Sequence, residues 1–256
     1  MSMQAILPLL LLGAFAAYAF WAMNKRKKAM ENLGPAFRRF FENTGYRYVE
    51  LGDAPLEAHV EHTEKKWRQM MGPQRTFEQR LVRDFHGAKI FWDSFMGPEG
   101  SSYVMSCSWS LKLPNPPRVP WQAADKSLSS MGKAVKEAFS NSTRSWKARY
   151  PTAVQAGDPE LDKKILFFGE DAQAVQQVLQ TAGLKELLLS CTEVDLVVGA
   201  DEVRFADPMQ KNIRAAMGGT IGMMASGTDY GKFMDLSVAV HEKLTELLVV
   251  AARASA

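Results

Sequence analysis

Ala5 to Met23 is a run without one charged side chain, and Lys25, Arg26, Lys27 and Lys28 follow it almost at once. No other feature restricts this chain as much. A stretch this apolar needs a bilayer or the interior of a core around it. At about 1.5 Å of rise per residue, the run makes a helix of roughly 28 Å. A hydrocarbon core is about 30 Å thick, so such a helix can just span it. Pro8 lies in the first turn, where a missing amide costs little. Tyr18 and Trp21 sit near the charged end, where amphipathic rings favour the membrane interface. The cations lie on one side only, and the positive-inside bias then places residues from 24 onward in the cytoplasm. Trp21, Lys25, Arg26, Lys27 and Lys28 are therefore the expected anchor and topology residues, with the lipid bilayer as partner through residues 5–23. A cleaved leader is the competing reading, because Ala14-Phe15-Ala16 has a small-x-small pattern. A leader carries its cations before the apolar run, whereas here they come after it.

The same cluster accounts for the basic balance of the chain. Net charge is +3, the cluster at 25–28 supplies +4, and residues 1–24 carry none, which leaves −1 for residues 29–256. A nearly neutral domain does not draw phosphate backbones, and no nucleic-acid partner is expected. The composition, 46% hydrophobic and 23% charged, is that of an ordinary globular domain. Cys107 and Cys191 are too few for a disulfide scaffold. Each falls on an apolar face and reads as a small buried hydrophobe, the alternative being one disulfide between them if the topology is reversed.

Periodicity organises the rest. Pro35–Asn43 predicts a short helix with Phe37, Phe40 and Phe41 on one stripe. Leu33-Gly34-Pro35 predicts a hinge between it and the membrane segment. Tyr46–Leu51 predicts a strand and Leu56–Met71 a helix. Three strands follow, Thr76–Phe85, Lys89–Met96 and Ser102–Leu113, joined by short turns as an antiparallel meander. In the last of them Tyr103, Met105, Cys107, Trp109, Leu111 and Leu113 share one face, and the serines face solvent. Residues 114–126 open with prolines and offer the best internal boundary. Ser127–Phe139 predicts a helix, and 141–162 a polar tract. The second half predicts a strand at Ile165–Phe168, a helix N-capped by Asp171, a second short helix after Gly183, and a hairpin of Val194–Val198 with Val203–Phe205. Lys232–Ala252 predicts a long amphipathic helix, its stripe running through Phe233, Leu236, Val240, Leu244, Leu247, Leu248 and Ala251. The fold class expected is α+β, an N-terminal single transmembrane helix followed by a soluble domain with a predominantly antiparallel sheet and flanking helices.

Four patterns invite a chemical reading. His59 and His62 lie three apart on one helix, a spacing that metal sites use. The four-residue spacing and intervening base of a zinc protease are missing, so the pair is a weak metal candidate beside a solvated charged face. Gly218–Gly227 has the glycine gap of a phosphate loop, but Thr228 stands where lysine belongs. That segment reads as a flexible loop, as a Gly-x-x-x-Gly helix contact, or as a membrane-surface stretch, since Ile213–Ser226 is apolar and Lys211 and Arg214 flank its start. The serine row of 102–110 lacks a nucleophile elbow. Asp195, Asp201, Glu202 and Asp207 cluster near the hairpin without a spacing that selects an acid–base pair.

No catalytic residue and no cofactor is therefore assigned. The function expected is a membrane-anchored binding, adaptor or assembly module on the cytoplasmic face, with a protein partner. The alternatives are a tethered enzyme of hydrolase type with a dispersed site, and a domain that holds a lipid or another hydrophobe among Phe91, Trp92, Phe95 and Trp109.

Overall fold

A computed structural model describes residues 14–21, 23–24, 31, 33–70, 76–99, 102–127, 148–207 and 230–256. The fold is α+β. Nine strands form one sheet in the order β1-β2-β3-β4-β9-β8-β5-β7-β6, and every pairing is antiparallel. The strands are β1 Arg47–Tyr48, β2 Phe77–Phe85, β3 Ala88–Glu99, β4 Ser102–Lys112, β5 Trp121–Asp125, β6 Thr152–Val154, β7 Ile165–Gly169, β8 Asp195–Val198 and β9 Glu202–Asp207. The helices are α1 Leu33–Thr44, α2 Leu56–Met70, α3 Pro159–Lys164, α4 Ala172–Leu179, α5 Leu184–Ser190 and α6 Tyr230–Ser255.

The meander stands as its alternation predicts. Leu81, Trp92, Trp109, Phe205 and Leu196 line up across five adjacent strands on the inner face. The helices pack on this face, α6 crossing β4, β9 and β8. Gly169 lies where β7 meets α4; a Cβ there would fall 2.5 Å from Val175 Cγ2. Asp171 accepts hydrogen bonds from the amides of Gln173 and Ala174, the N-cap expected of it. On the opposite face Arg80 pairs with Asp93 at 3.2 Å and lies over the Phe91 ring. The free edge of β2 is blunted by Lys66, whose ammonium donates to the Glu78 carbonyl.

Several expectations change. The hinge at Leu33-Gly34-Pro35 is the first turn of α1, with Leu33 buried and Gly34 against the Glu64 carboxylate. The strand at Tyr46–Leu51 shrinks to two residues followed by a 3-10 turn, Val49–Leu51. A fifth strand, Trp121–Asp125, lies within 114–126 and joins β8 to β7. The polar tract 141–162 holds β6 and α3, the latter capped by Asp158 with Pro159 at its first position. Ser110, assigned to solvent, is only 8% exposed. On α6 the buried stripe runs through Met234, Ser237, His241, Leu244, Thr245 and Leu248, while Leu236 is 45% exposed.

Among the described residues, no helix is long and apolar enough to cross a membrane. Residues 5–13 and 22 of the apolar run lie outside them, as do Lys25–Lys28, most of 127–139 and all of 208–229. Of that run, residues 14–21 are helical.

Asp171→Ala is expected to lower the stability of the domain by about 1 kcal/mol, the usual worth of an N-cap, as measured by urea denaturation. An unchanged midpoint would show that this cap contributes nothing.

Candidate functional site

The most concentrated polar chemistry in the domain is sealed between α6 and the sheet. Its first member comes from β2. Period two puts Gln79 and Arg83 on the same face as Phe77 and Leu81, so a guanidinium points into the core. Its side chain is 3% exposed, and it pairs with Glu242 of α6 at 2.5 Å. A second contact to that carboxylate measures 3.3 Å. Arg83 also donates to the Thr44 carbonyl at the end of α1. The rings of Tyr46 and Phe85 lie 5.3 and 4.9 Å from the guanidinium carbon. Glu242 keeps 45% of its side chain in water, so the desolvation falls mainly on the arginine.

His241, the next residue, is fully buried. Trp109 Nε1 donates to its Nδ1 at 3.0 Å. An indole nitrogen only donates, so Nδ1 carries the lone pair and the proton sits on Nε2. Nε2 has no hydrogen-bond partner. It is surrounded by ring faces and edges: Trp92 at 4.3 Å, Tyr46 at 5.1 Å and Phe40 at 5.3 Å between centroids. Burial, reinforced by the Arg83 charge, pulls the imidazole down to about 3. Burial likewise drives the Tyr46 phenol far above its usual range. Trp92 and Trp109 stack at 6.2 Å and close on this histidine. Phe91, by contrast, lies on the other face under Arg80. The four aromatics named as a possible cavity lining thus divide between the two faces of the sheet.

The proposed metal pair is drawn into separate tasks. His59 is buried, its Nδ1 accepts from the Tyr48 amide, and its Nε2 faces the Ala54 carbonyl at 3.2 Å. Both ring nitrogens are thus engaged with backbone, and burial depresses its pKa, with the Arg47 charge adding to the effect. His62 meets Glu50 at 3.0 Å, which also binds Lys66. Between them Thr63 donates to the Tyr48 hydroxyl, which donates to Gln79. This chain of bonds ties α2 to β1 and β2. Among the described residues, no group of three or more His, Cys, Asp and Glu is placed to hold a metal ion.

The thiols of Cys107 and Cys191 are free and buried. Burial pushes Cys107 far above the ordinary thiol range and Cys191 up to about 11, so neither is a ready nucleophile. Of the hairpin carboxylates, Asp207 faces the core and is 3% exposed. Asp195 is held above the carboxylate range by burial. Asp201 and Glu202 lie at the turn and meet Lys112. They do not converge. Sequence reasoning missed Arg83 and His241, although strict alternation in β2 places Arg83 inward. A depression of about 460 Å³ lies beside Glu61, Glu64, Lys65, Arg68 and Gln69 on α2 and is open to solvent.

Among the described residues, the most exposed large apolar side chains lie before the domain. Along the helical stretch 14–21 and at Met23, the large apolar residues are bare: Phe15 is 72% exposed, Tyr18 62%, Phe20 69%, Trp21 52% and Met23 69%.

Two outcomes test the sealed cluster. Glu242→Ala leaves Arg83 buried without its counter-charge and is expected to cost about 3 kcal/mol. Arg83→Met keeps the packing and lets Glu242 turn to water, so it should cost clearly less; the reverse order in urea titrations would refute the assignment. For His241 the folded value lies below the ordinary 6.5, so the fold holds the neutral ring. Its contribution is complete above pH 6.5 and is lost as the pH falls toward about 3. His241→Asn keeps an acceptor for Trp109 and does not titrate. Across that window the natural protein should lose stability faster than the variant, by up to about 1.4 kcal/mol per pH unit. Parallel stability–pH curves would count against it.

No family model matches the sequence, and no curated protein matches it. Among solved structures, the chain is similar to the crystal structure of the mycobacterial trehalose monomycolate transport factor A, TtfA, at 12% sequence identity and a TM-score of 0.41, with 86% of this chain and 96% of that chain covered. A likeness of that degree says nothing of substrate, partner or activity.

Proposed function

We propose that this protein is a membrane-anchored binding or assembly module, held by one N-terminal transmembrane helix with its α+β domain on the cytoplasmic face. The observation that carries the reading is the bare apolar stretch: Phe15, Tyr18, Phe20, Trp21 and Met23 are all more than half exposed. Apolar surface of this kind is stable only when something else covers it. The run continues to Ala5 without a charge, and four cations close its far side, so the cover that fits is a bilayer rather than a groove.

A binding role fits better than the two alternatives. Among the described residues, the polar groups most suited to chemistry, His241 and Arg83, are themselves buried among aromatic rings and under α6. Trp92 and Trp109 stack on one another and pack on His241, and Phe91 lies on the other face of the sheet, so these rings do not line one common space.

The full chain is expected to float with membranes and resist carbonate extraction, whereas a chain beginning at residue 29 should stay in the soluble fraction. Protease added to intact cells should spare the domain, and cross-linking followed by affinity purification should return one reproducible protein partner. Release of the full chain by carbonate would refute the anchor, and digestion from outside would reverse the orientation.

A further inference from the structure

Helix α6 is fastened to the sheet in two different ways along its length. Before Glu242, the buried positions among its described residues are Met234, Ser237 and His241, one apolar side chain among three. After it, Leu244, Leu247, Leu248, Val249 and Ala251 are all buried. By apolar burial alone the second half is held much more firmly. The first half depends on two polar links, Trp109 Nε1 to His241 Nδ1 at 3.0 Å and Arg83 to Glu242 at 2.5 Å. The second half ends on a different one. Trp121 Nε1 donates to Ser255 Oγ at 2.8 Å, and the Ser255 carbonyl accepts from the amides of Arg118 and Val119. Indole, hydroxyl and backbone groups make up that end, and none of them titrates in acid. Between the halves the Thr245 hydroxyl donates to the His241 carbonyl, a bond back to the preceding turn that bends and weakens helices.

Acid acts on both links of the first half. Nδ1 of His241 accepts from an indole, so a second proton would set two N–H groups against each other while Trp109 stays in place. That proton would also put a second cation beside the buried Arg83. Neutralising Glu242, the next residue, takes away the counter-charge of Arg83 as well. The groups that face His241 offer no relief. Phe40 of α1, Trp92 of β3 and Trp109 of β4 do not titrate. Tyr46 stays neutral, because burial raises its phenol, and Arg83 of β2 is already a cation. On α6 itself the Glu242 carboxylate is engaged with Arg83. Ring faces attract an imidazolium, but that does not replace the hydration it loses.

We propose that the first half of α6, through Glu242, is an acid-released clasp, which parts from β2, β3 and β4 ahead of the rest of the domain while the second half stays fastened at Trp121. The fold holds the neutral ring, so the clasp is closed above pH 6.5 and loosens as the pH falls below it. Release uncovers Trp92 and Trp109 and frees Arg83 to reach water. Opening by parts is the expected behaviour where one stretch of a helix has few buried apolar contacts and its neighbour has many. The device needs no membrane to act.

The test reads both ends of the helix at once. The full chain, kept in detergent micelles, carries 5-fluorotryptophan, and the fluorine signals of Trp109 and Trp121 are assigned with Trp109→Phe and Trp121→Phe. As the pH is lowered from neutrality to about 3, the Trp109 signal should reach the position of a water-exposed indole at a higher pH than the Trp121 signal. His241→Asn keeps an acceptor for Trp109 and does not titrate. It should narrow the separation between the two transitions by about half, since one of the two titrating groups is gone. Arg83→Met keeps the histidine and removes the neighbouring cation, and should narrow it too. If the asparagine variant does not fold, Arg83→Met answers the same question. Two signals that move together in the natural protein would overturn the clasp, and so would a separation that is unchanged in both variants.

Discussion

An arginine with almost no access to water governs how this domain closes. Arg83 cannot be left as an isolated charge in the core, where desolvation would cost several kcal/mol. It is satisfied only if three elements distant in sequence converge on it: the end of α1 through the Thr44 carbonyl, the Tyr46 ring before β1, and Glu242 of α6. Once Glu242 is held there, the helix has no rotational freedom, and His241 must face the sheet. It does so in the one protonation state that the place tolerates. The neutral ring accepts from Trp109, while Arg83 adds a repulsion that opposes a second proton.

The same helix carries that constraint across the whole sheet. Trp109 of β4 donates its indole N–H to His241, and Trp121 of β5 donates its own to Ser255. Fourteen residues separate these acceptors, which is about 21 Å of helix. Between the two tryptophans lie β9 and β8, so α6 braces both halves of the strand order. The backbone amides of Arg118 and Val119 close the far end on the Ser255 carbonyl. The proline-rich stretch after β4 is therefore fastened down by the last turn of α6 rather than left as a free linker.

What could be read from the chain depended on whether a segment has one covered face or two. β2, β3 and β4 alternate because one side meets helices and the other is more open, and their inward faces and antiparallel order were legible. β5 was not, because Trp121, Gln122, Ala123, Ala124 and Asp125 are all buried and show no alternation. Its outer side is crossed by chain near Arg149 and Tyr150, which bond to Gln122 and to the Val198 carbonyl. On α6 the expected stripe holds at Leu244, Leu247, Leu248 and Ala251 but misses at Leu236, for a related reason. Its buried stripe contains Ser237, His241, Thr245 and Ser255, and such polar positions disguise a core face unless their partners are known. Their partners are two indoles and the preceding turns of the helix itself. Arg83 had a readable position in β2 but an unreadable purpose, since Glu242 lies 159 residues away. The chemistry suggested by His59 and His62 dissolved into backbone support and a surface pair for equally nonlocal reasons. The apolar run before the domain is legible as apolar without any partner, because that rests on its own lack of charge.

The buried lock and the exposed segment are connected through α1. A tethered domain inherits an orientation from its anchor only if the first element after the tether is rigidly part of the fold. Leu33-Gly34-Pro35 has the composition of a swivel, yet Leu33 is 1% exposed and Gly34 lies close against the Glu64 carboxylate. Phe37, Phe40 and Phe41 then bury the same face of α1 against α2, α6 and the sheet. The other end of α1 is held by Arg83 at the Thr44 carbonyl. From Leu33 onward the chain is therefore fixed to the domain along the whole of α1. The order created around one buried arginine is thus felt as far away as the start of the fold.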